Sequence, residues 1–226
     1  MNTVASKLSF ILLVSAVAMQ AAVLHKQYAG RPQARSPIGD APAGTVVDIT
    51  AMPVIGSDVA RAVLIEFTDY QCPFCRRHAM DVLPAIRSKF VDAGKLRYVV
   101  ANNPRPAIHP RARALAKAAV CATEQNRFWP LHDMLYQVKE GTDDEIAGLA
   151  AASQMDEPRF KKCLAEDSDS DRRVESDMAD ASRLQLRGTP SFAIGIDSGR
   201  GRITIKKFVV GAVGVDVFDK VISGML

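Results

Sequence analysis

Apolar runs and segments of helical spacing alternate in the second quarter of the chain. Ala62 to Thr68 (AVLIEFT) is largely apolar and bounded by polar residues, which is typical of a central strand. Pro73 to Phe90 follows with helical spacing, and Pro84 within it predicts a kink or break. Leu96 to Ala101 (LRYVVA) is a second strand of buried character. The order β–α–β predicts two parallel strands joined by a helical crossover.

The second half of the chain changes pattern twice. From about residue 107 to 186 it is rich in Ala, Leu and charged residues and contains no convincing strand, which predicts an all-helical insertion. Further strands are expected at Val46 to Ile49, Ser191 to Ile196 and Ile203 to Val209, and a last helix at about Val215 to Ile222. These elements predict one α/β domain over residues 46–226, with a mixed central sheet flanked by helices.

The N-terminal 45 residues differ from the rest of the chain. Residues 1–24 combine Lys7 with the apolar run Leu8 to Leu24, which predicts a secretory signal peptide or, if it is not removed, an N-terminal membrane anchor. Residues 25–45 are rich in Gly, Pro and basic side chains and predict a flexible linker. The folded domain is therefore expected outside the cytoplasm, in the periplasm or an equivalent space where disulfides persist.

Composition excludes several classes of protein. The 226 residues are 48% hydrophobic and 24% charged, which is a globular balance. A net charge of +4 with 6% aromatic residues gives no basic, aromatic-lined stripe, so no nucleic-acid partner is expected. Four cysteines are too few for a disulfide-stapled small protein.

The run Cys72-Pro73-Phe74-Cys75 is the main chemical motif, since it directly follows a predicted strand and opens a predicted helix. With Cys72 at the N-cap and Pro73 at the first helical position, unpaired backbone N–H groups point toward the Cys72 sulfur and favour its thiolate. Cys75 lies one turn further along and is expected to act as the resolving thiol. The motif therefore predicts a redox-active dithiol.

Other interpretations of this motif are weaker. A zinc site needs more ligands, and the sequence has no second Cys-x-x-Cys; His78, the nearest further candidate, is interpreted as a helix-surface residue. A structural disulfide closing so short a loop would constrain the unfolded chain little. A chance pair is the remaining alternative. No metal and no cofactor are expected.

Glu66 interrupts an otherwise apolar strand six residues before Cys72. A carboxylate in such a strand is costly unless it has a role. Buried beneath the dithiol, it could take the proton of Cys75 during exchange. The alternative is a strand near the sheet edge, with Glu66 in solvent.

Cys121 and Cys163 fall on different predicted helices of the insertion. In an oxidising compartment, a structural disulfide between them is favoured. A second redox-active pair is the alternative, and in a reducing compartment both would be buried small apolar residues.

Two segments resemble a known family. Residues 66–75 (EFTDYQCPFC) resemble the active-site segment of the DsbA-like thioredoxin-fold oxidoreductases, and Gly188-Thr189-Pro190 resembles their cis-proline loop. The helical stretch between them, with Phe128-Trp129 and His132-Asp133, is similar to that family's helical insertion. The resemblance covers roughly residues 46–226.

The resemblance implies a cis peptide bond before Pro190, packing of Pro190 beside the dithiol, and a role for Glu66 as proton acceptor. It also implies that an extended substrate segment contacts Thr189 and Pro190, with Pro73 and Phe74 completing the contact surface. Phe74 departs from the histidine of the strongest oxidants in the family, which lowers the expected oxidising power.

The implied function is the introduction of disulfides into exported proteins. The implied partners are reduced exported proteins and a membrane or small-molecule reoxidant. The alternatives are a disulfide isomerase or reductase, or a non-catalytic binding or chaperone module. Since only a linker precedes the fold, a monomer is expected.

Overall fold

The computed structural model describes residues 19–20, 36–165 and 169–226. The chain separates into two compact units, residues 1–36 and 37–226. Of the first unit, the structure describes Met19 and Gln20, which are helical, and Ser36, the last residue before the second unit. The predicted export segment 1–24, apart from those two residues, and the linker up to residue 35 lie outside the described residues. Within the described parts of the chain, no helix is both long and apolar enough to cross a bilayer.

A seven-stranded sheet forms the centre of the second unit. Its strands are β1 (Ile38–Asp40), β2 (Val46–Asp48), β3 (Val54–Ile55), β4 (Ala62–Thr68), β5 (Leu96–Asn102), β6 (Ser191–Asp197) and β7 (Arg202–Val210). The spatial order is β1-β7-β6-β4-β5-β3, and β2 also pairs with β7. The strands β4 and β5 are parallel and the other pairs are antiparallel. The predicted mixed sheet flanked by helices is therefore confirmed.

Helices cover the sheet and form the insertion. They are α1 (residues 73–91), α2 (Ala112–Thr123), α3 (Phe128–Leu135), α4 (Asp143–Ala152), α5 (Glu157–Leu164), α6 (Asp169–Arg183) and α7 (Val215–Ser223). Five of them, α2 to α6, lie between β5 and β6, where the all-helical insertion was predicted. A disulfide joins Cys121 of α2 to Cys163 of α5.

Helix α1 runs through Pro84 without a break. Two wider π-helical turns, His78–Val82 and Arg87–Val91, alternate with its α-helical segments. Proline lacks an N–H and its ring crowds the carbonyl four residues earlier, so an ordinary α-helical turn does not fit there. The wider turn before Pro84 accommodates the ring, which is why the predicted break is absent.

Strand β4 separates two apolar cores. Leu64 packs into the core that contains the dithiol, α1 and most of the insertion, whereas Val63, Ile65 and Phe67 face the core on the other side of the sheet. Side chains alternate along a strand, so Glu66 shares the face of Leu64. The period of the strand therefore directs Glu66 toward α1 and its cysteines.

The ordered domain begins earlier than the boundary predicted at residue 46. Ile38–Asp40, which falls within the predicted linker 25–45, pairs with β7 in the register Ile38 to Val209. The free edge of a nine-residue strand offers unpaired N–H and C=O groups, and a short segment can bind them through its backbone whatever its side chains. Composition therefore missed this strand.

Candidate active site

The loop between β4 and α1 carries both cysteines of the predicted dithiol. Cys72 is the N-cap of α1 with φ −75° and ψ 120°, and Pro73 follows at the start of the helix. Both cysteines are free thiols in this structure, and both are buried, Cys72 at 5% and Cys75 at 0% exposure. Neighbouring Phe74 is exposed by contrast. A partner can therefore reach the pair only from the side of Cys72 and Phe74.

The environment of Cys72 stabilises its thiolate. A hydrogen bond from the Cys75 thiol, assisted by Thr189 and by the backbone N–H groups of Cys75 and Phe74, lowers the pKa of Cys72 to about 5. These backbone groups belong to the first turn of α1, whose N–H groups have no partner inside the helix. The thiolate of Cys72, which is the nucleophilic form of a cysteine, is therefore favoured at neutral pH.

Cys75 has the opposite character. Burial, the hydrogen bond it donates to Cys72 and the nearby charge of Glu66 all raise the pKa of the Cys75 thiol far above its usual value. It stays protonated at neutral pH and reacts only when a base removes its proton. The two cysteines therefore differ in their environment and in the direction of their pKa shifts.

A second segment, 117 residues further along the chain, completes the site. The Thr189–Pro190 peptide bond is cis, and the Cys72 Sγ lies 3.4 Å from the carbonyl oxygen of Thr189. The Pro190 carbonyl accepts a hydrogen bond from Gly211 N at 2.9 Å. This loop therefore lies directly against the nucleophile.

Glu66 is fully buried. Its Oε2 accepts a hydrogen bond of 2.6 Å from the Tyr98 hydroxyl, while its Oε1 accepts none from the described residues. Burial raises the pKa of Glu66 to about 7, although the bond from Tyr98 acts in the other direction. A carboxyl group that titrates near neutral pH beside Cys75 can both accept and return a proton. The solvent-exposed alternative for Glu66 is wrong.

Tyr98 and His78 are the site residues that the sequence did not identify. His78 Nε2 lies 2.9 Å from the Tyr98 hydroxyl oxygen. Because that hydroxyl donates its proton to Glu66, the imidazole donates from Nε2. Burial lowers the pKa of His78 to about 3, so the ring is neutral. His78 is fully buried, so its interpretation as a helix-surface residue is wrong. Its spacing of three residues from Cys75 places both on the same helix face, and this spacing could have identified it from the sequence.

The insertion covers the site from the side of α3. Tyr136 Oη lies 2.6 Å from Thr68 Oγ1 at the end of β4, and Tyr70 Oη lies 3.1 Å from His132 Nδ1. Burial lowers the pKa of His132 to about 3, so this imidazole is also neutral. Glu66 and Cys75 are buried beneath this cover, and burial is the largest cause of the raised pKa of both.

Asp69 fixes the loop before Cys72. Its buried carboxylate accepts bonds from the backbone N–H groups of Gln71 and Arg105, and it pairs with His109 Nδ1 at 2.8 Å. The loop after β5 is thereby tied to the loop after β4. In the described parts of the chain, no group of three or more His, Cys, Asp or Glu side chains is arranged to hold a metal ion.

Glu66→Gln should remove a pH dependence of stability. The folded-state pKa of about 7 exceeds the usual 4.5, so the folded protein holds a proton that the unfolded chain releases. Stability from this group is complete below about pH 4.5 and is lost as the pH rises through 7, by about 3 kcal/mol. Relative to the parent, the variant should gain about that amount between pH 4.5 and 8 in urea unfolding of the dithiol form.

The matched control is Tyr98→Phe. It removes the hydroxyl that lowers the pKa of Glu66, so the loss of stability should extend to higher pH than in the parent. Parallel curves for Glu66→Gln and the parent would show that Glu66 does not titrate in this range.

Comparisons with known proteins agree with this geometry. Residues 49–209 match a family described as Thioredoxin (Thioredoxin_4). Disulfide bond formation protein D of Bacillus subtilis is 26% identical over 152 residues, 65% of this chain and 68% of that protein. The Na(+)/H(+) antiporter NhaA 3 of Salinispora tropica is 32% identical over 142 residues, which are 62% of this chain. The chain spans only about a fifth (21%) of the length of that antiporter.

Solved structures show the same fold. Oxidised BdbD from Bacillus subtilis superposes with a TM-score of 0.66 at 21% identity, over 82% of this chain and 98% of that one. The α-DsbA1 of Wolbachia pipientis gives 0.64 at 19% identity, over 76% and 89%. The resemblance noted from the two motifs is thus confirmed: the chain belongs to the thioredoxin family and has a DsbA-like thioredoxin fold.

Proposed function

We propose that this chain is an extracytoplasmic thiol–disulfide oxidoreductase that introduces disulfide bonds into exported proteins. The single observation that carries the proposal is the contrast between Cys72, whose pKa falls to about 5, and Cys75, whose pKa is raised. One stabilised thiolate next to one protonated resolving thiol is the arrangement that exchange chemistry needs. The relative named disulfide bond formation protein D supports the same activity.

The reaction starts from the Cys72–Cys75 disulfide. A substrate thiolate attacks the Cys72 sulfur, the protein's S–S bond breaks, and Cys75 leaves and takes the proton of Glu66. A second substrate thiolate then attacks the substrate sulfur of the mixed disulfide and releases Cys72 as its stabilised thiolate. The substrate loses two electrons and the protein gains two. Reoxidation by a membrane partner or a small-molecule oxidant reverses these steps, with Glu66 accepting the Cys75 proton.

The extended substrate segment is held by the loop before Pro190 and by the exposed side of the motif. The Thr189 backbone lies beside Cys72 and offers a polar edge for pairing. The ring of Phe74 is exposed and, together with Pro73, forms an apolar contact next to the nucleophile. We assign substrate binding to Thr189, Pro190, Pro73 and Phe74.

Oxidation is the favoured direction. At pH 7, a pKa of about 5 stabilises the reduced form by about 2.7 kcal/mol relative to an unionised thiol, or roughly 60 mV. The Cys121–Cys163 disulfide supports an extracytoplasmic location, because such bonds persist in oxidising compartments. We further propose that the protein acts as a monomer with a single active site.

The redox potential of Cys72–Cys75 tests the direction. The protein is equilibrated in glutathione buffers, quenched by alkylation and analysed by mass, and the same preparation is assayed for oxidation of a reduced, unfolded protein. We expect a potential well above that of reductases, nearer about −120 mV than about −270 mV. A value near the lower figure, with rapid reduction of substrate disulfides, would identify a reductase instead.

A further inference from the structure

A groove of about 480 Å³ begins two residues before Thr189. It lies between the loop after β5 and the end of the insertion. Arg105 and Arg187 both line it, and none of the described residues that line it is acidic. Arg105 Nη1 donates to the carbonyl oxygen of Arg187 at 2.5 Å, which holds the two sides together. The groove is therefore a cationic extension of the surface that faces Cys72.

The arginines around the dithiol are not neutralised. Arg105, Arg187, Arg76 and Arg77 form no ion pair with a carboxylate of the described residues; the side chains of Arg105 and Arg77 donate to backbone carbonyls instead. Most buried or helix-borne arginines elsewhere do have such a partner. These paired arginines are Arg97, Arg111, Arg113, Arg172, Arg173 and Arg183. The helix and loops that carry the site therefore bear four arginines whose charge no carboxylate of the described residues pairs.

The surroundings of Gln71, next to Cys72, differ in charge from the groove. Gln71 contacts the backbone of Glu140 and Arg111, and Arg111 is paired with Asp143. A bound segment therefore meets a positive field where it passes Thr189 and a nearly balanced one beyond Gln71. Such an asymmetry can select the sequence of the segment as well as attract it.

We propose that the groove lined by Arg105 and Arg187 binds a carboxylate side chain of the substrate, so that the enzyme favours exported proteins with Asp or Glu near the reacting cysteine. This inference rests on the proposed function. An extended chain advances roughly 3.3 Å per residue, and Arg187 is two residues from Thr189. The selected carboxylate therefore lies about two residues from the cysteine that bonds to Cys72.

The test uses synthetic two-cysteine peptides that are identical except for Glu, Gln or Lys two residues outside each cysteine. Reduction of the Cys72–Cys75 disulfide by each peptide is followed by acid quench and mass analysis. At low ionic strength the Glu peptide should react about five to ten times faster than the Lys peptide. In 1 M salt, where the screening length is about 3 Å, the ratio should approach one.

Arg187→Glu is the decisive variant, since this exposed side chain forms no hydrogen bond or ion pair within the described parts of the chain. It should lower the Glu-to-Lys rate ratio at least about threefold, and Arg105→Gln should lower it less. Arg200→Glu is the matched control, because Arg200 is exposed in the turn after β6, at the far end of the sheet from Thr189. The same change of net charge there should leave the ratio unchanged.

The outcomes separate the two proposals. If none of the three peptides reduces the disulfide, the proposed oxidoreductase function fails. If all react at the same rate at low salt, or if Arg187→Glu and Arg200→Glu change the ratio equally, the function stands and the carboxylate site is overturned. Each ratio is taken within one variant, so a general loss of activity cancels.

Discussion

Cys75→Ser is expected to accumulate as a stable mixed disulfide on Cys72. The serine hydroxyl can replace the thiol as hydrogen-bond donor to Cys72, so the largest cause of the lowered Cys72 pKa survives. The thiolate therefore still attacks an oxidised glutathione or peptide disulfide, but no resolving thiol remains to release the product. Intact mass should show one adduct, at Cys72, under conditions in which the parent shows none.

Cys72→Ser should instead abolish exchange. The remaining thiol, Cys75, is fully buried, and burial together with the charge of Glu66 raises its pKa far above neutral. The rate of exchange should fall by at least about a thousandfold, since the thiolate is the reactive species. The double variant Cys72→Ser/Cys75→Ser gives the background rate of exchange.

Retained exchange in Cys72→Ser would mean that Cys75 is the nucleophile. Turnover by Cys75→Ser would mean that another thiol acts as the resolving thiol. If neither the parent nor Cys72→Ser exchanges disulfides and both bind an unfolded protein equally well, the chain is a non-catalytic binding module instead.

The part of the site that could be predicted from the sequence is local. Strand β4, the turn and the first helix turn are contiguous, so the placement of Cys72 at a helix N-terminus followed from the order of apolar and polar residues and from Pro73. Glu66 was identified because a carboxylate in an apolar strand is unusual. Its direction toward Cys75 follows from the alternation of side chains along that strand.

Tyr98 and His78 could not be placed in the same way. Tyr98 lies in a strand whose register against β4, with Leu64 opposite Tyr98, is decided by the whole sheet. Its hydroxyl reaches Glu66 only because that register puts both on one face. His78 resembles a surface residue when the helix is considered alone, and its burial depends on Phe192 and Phe218, which come more than 100 residues later. Long-range packing, which a motif does not encode, determines both.

The start of the ordered domain illustrates a different limit. Ile38–Asp40 has the composition of a linker, but a strand on the edge of a sheet depends on backbone pairing more than on its own side chains. The available edge of β7, and not any pattern in residues 36–45, orders this segment. Composition therefore predicted the domain boundary several residues too late.

Removal of the Cys121–Cys163 disulfide should have the largest effect on stability. The bond closes a loop with a sequence separation of 42 residues, and the loss of that constraint on the unfolded chain corresponds to about 4 kcal/mol. The double variant Cys121→Ala/Cys163→Ala avoids leaving a reactive single thiol. Its free energy of unfolding in urea should fall by roughly that amount, with the redox potential of Cys72–Cys75 unchanged.

The same bond distinguishes a structural pair from a second redox pair. Cys121 is fully buried and Cys163 is partly buried, so the insertion shields most of this bond from a substrate thiolate. Mild reduction followed by alkylation and mass mapping should therefore label Cys72 and Cys75 while Cys121–Cys163 stays intact. Loss of both disulfides at the same potential, together with an unchanged stability of the double alanine variant, would make Cys121–Cys163 a second exchange site. A large loss of stability, together with selective reduction of Cys72–Cys75, would instead show that the bond is structural. The insertion would then be a rigid cover that keeps Tyr136 against Thr68 and water away from Glu66.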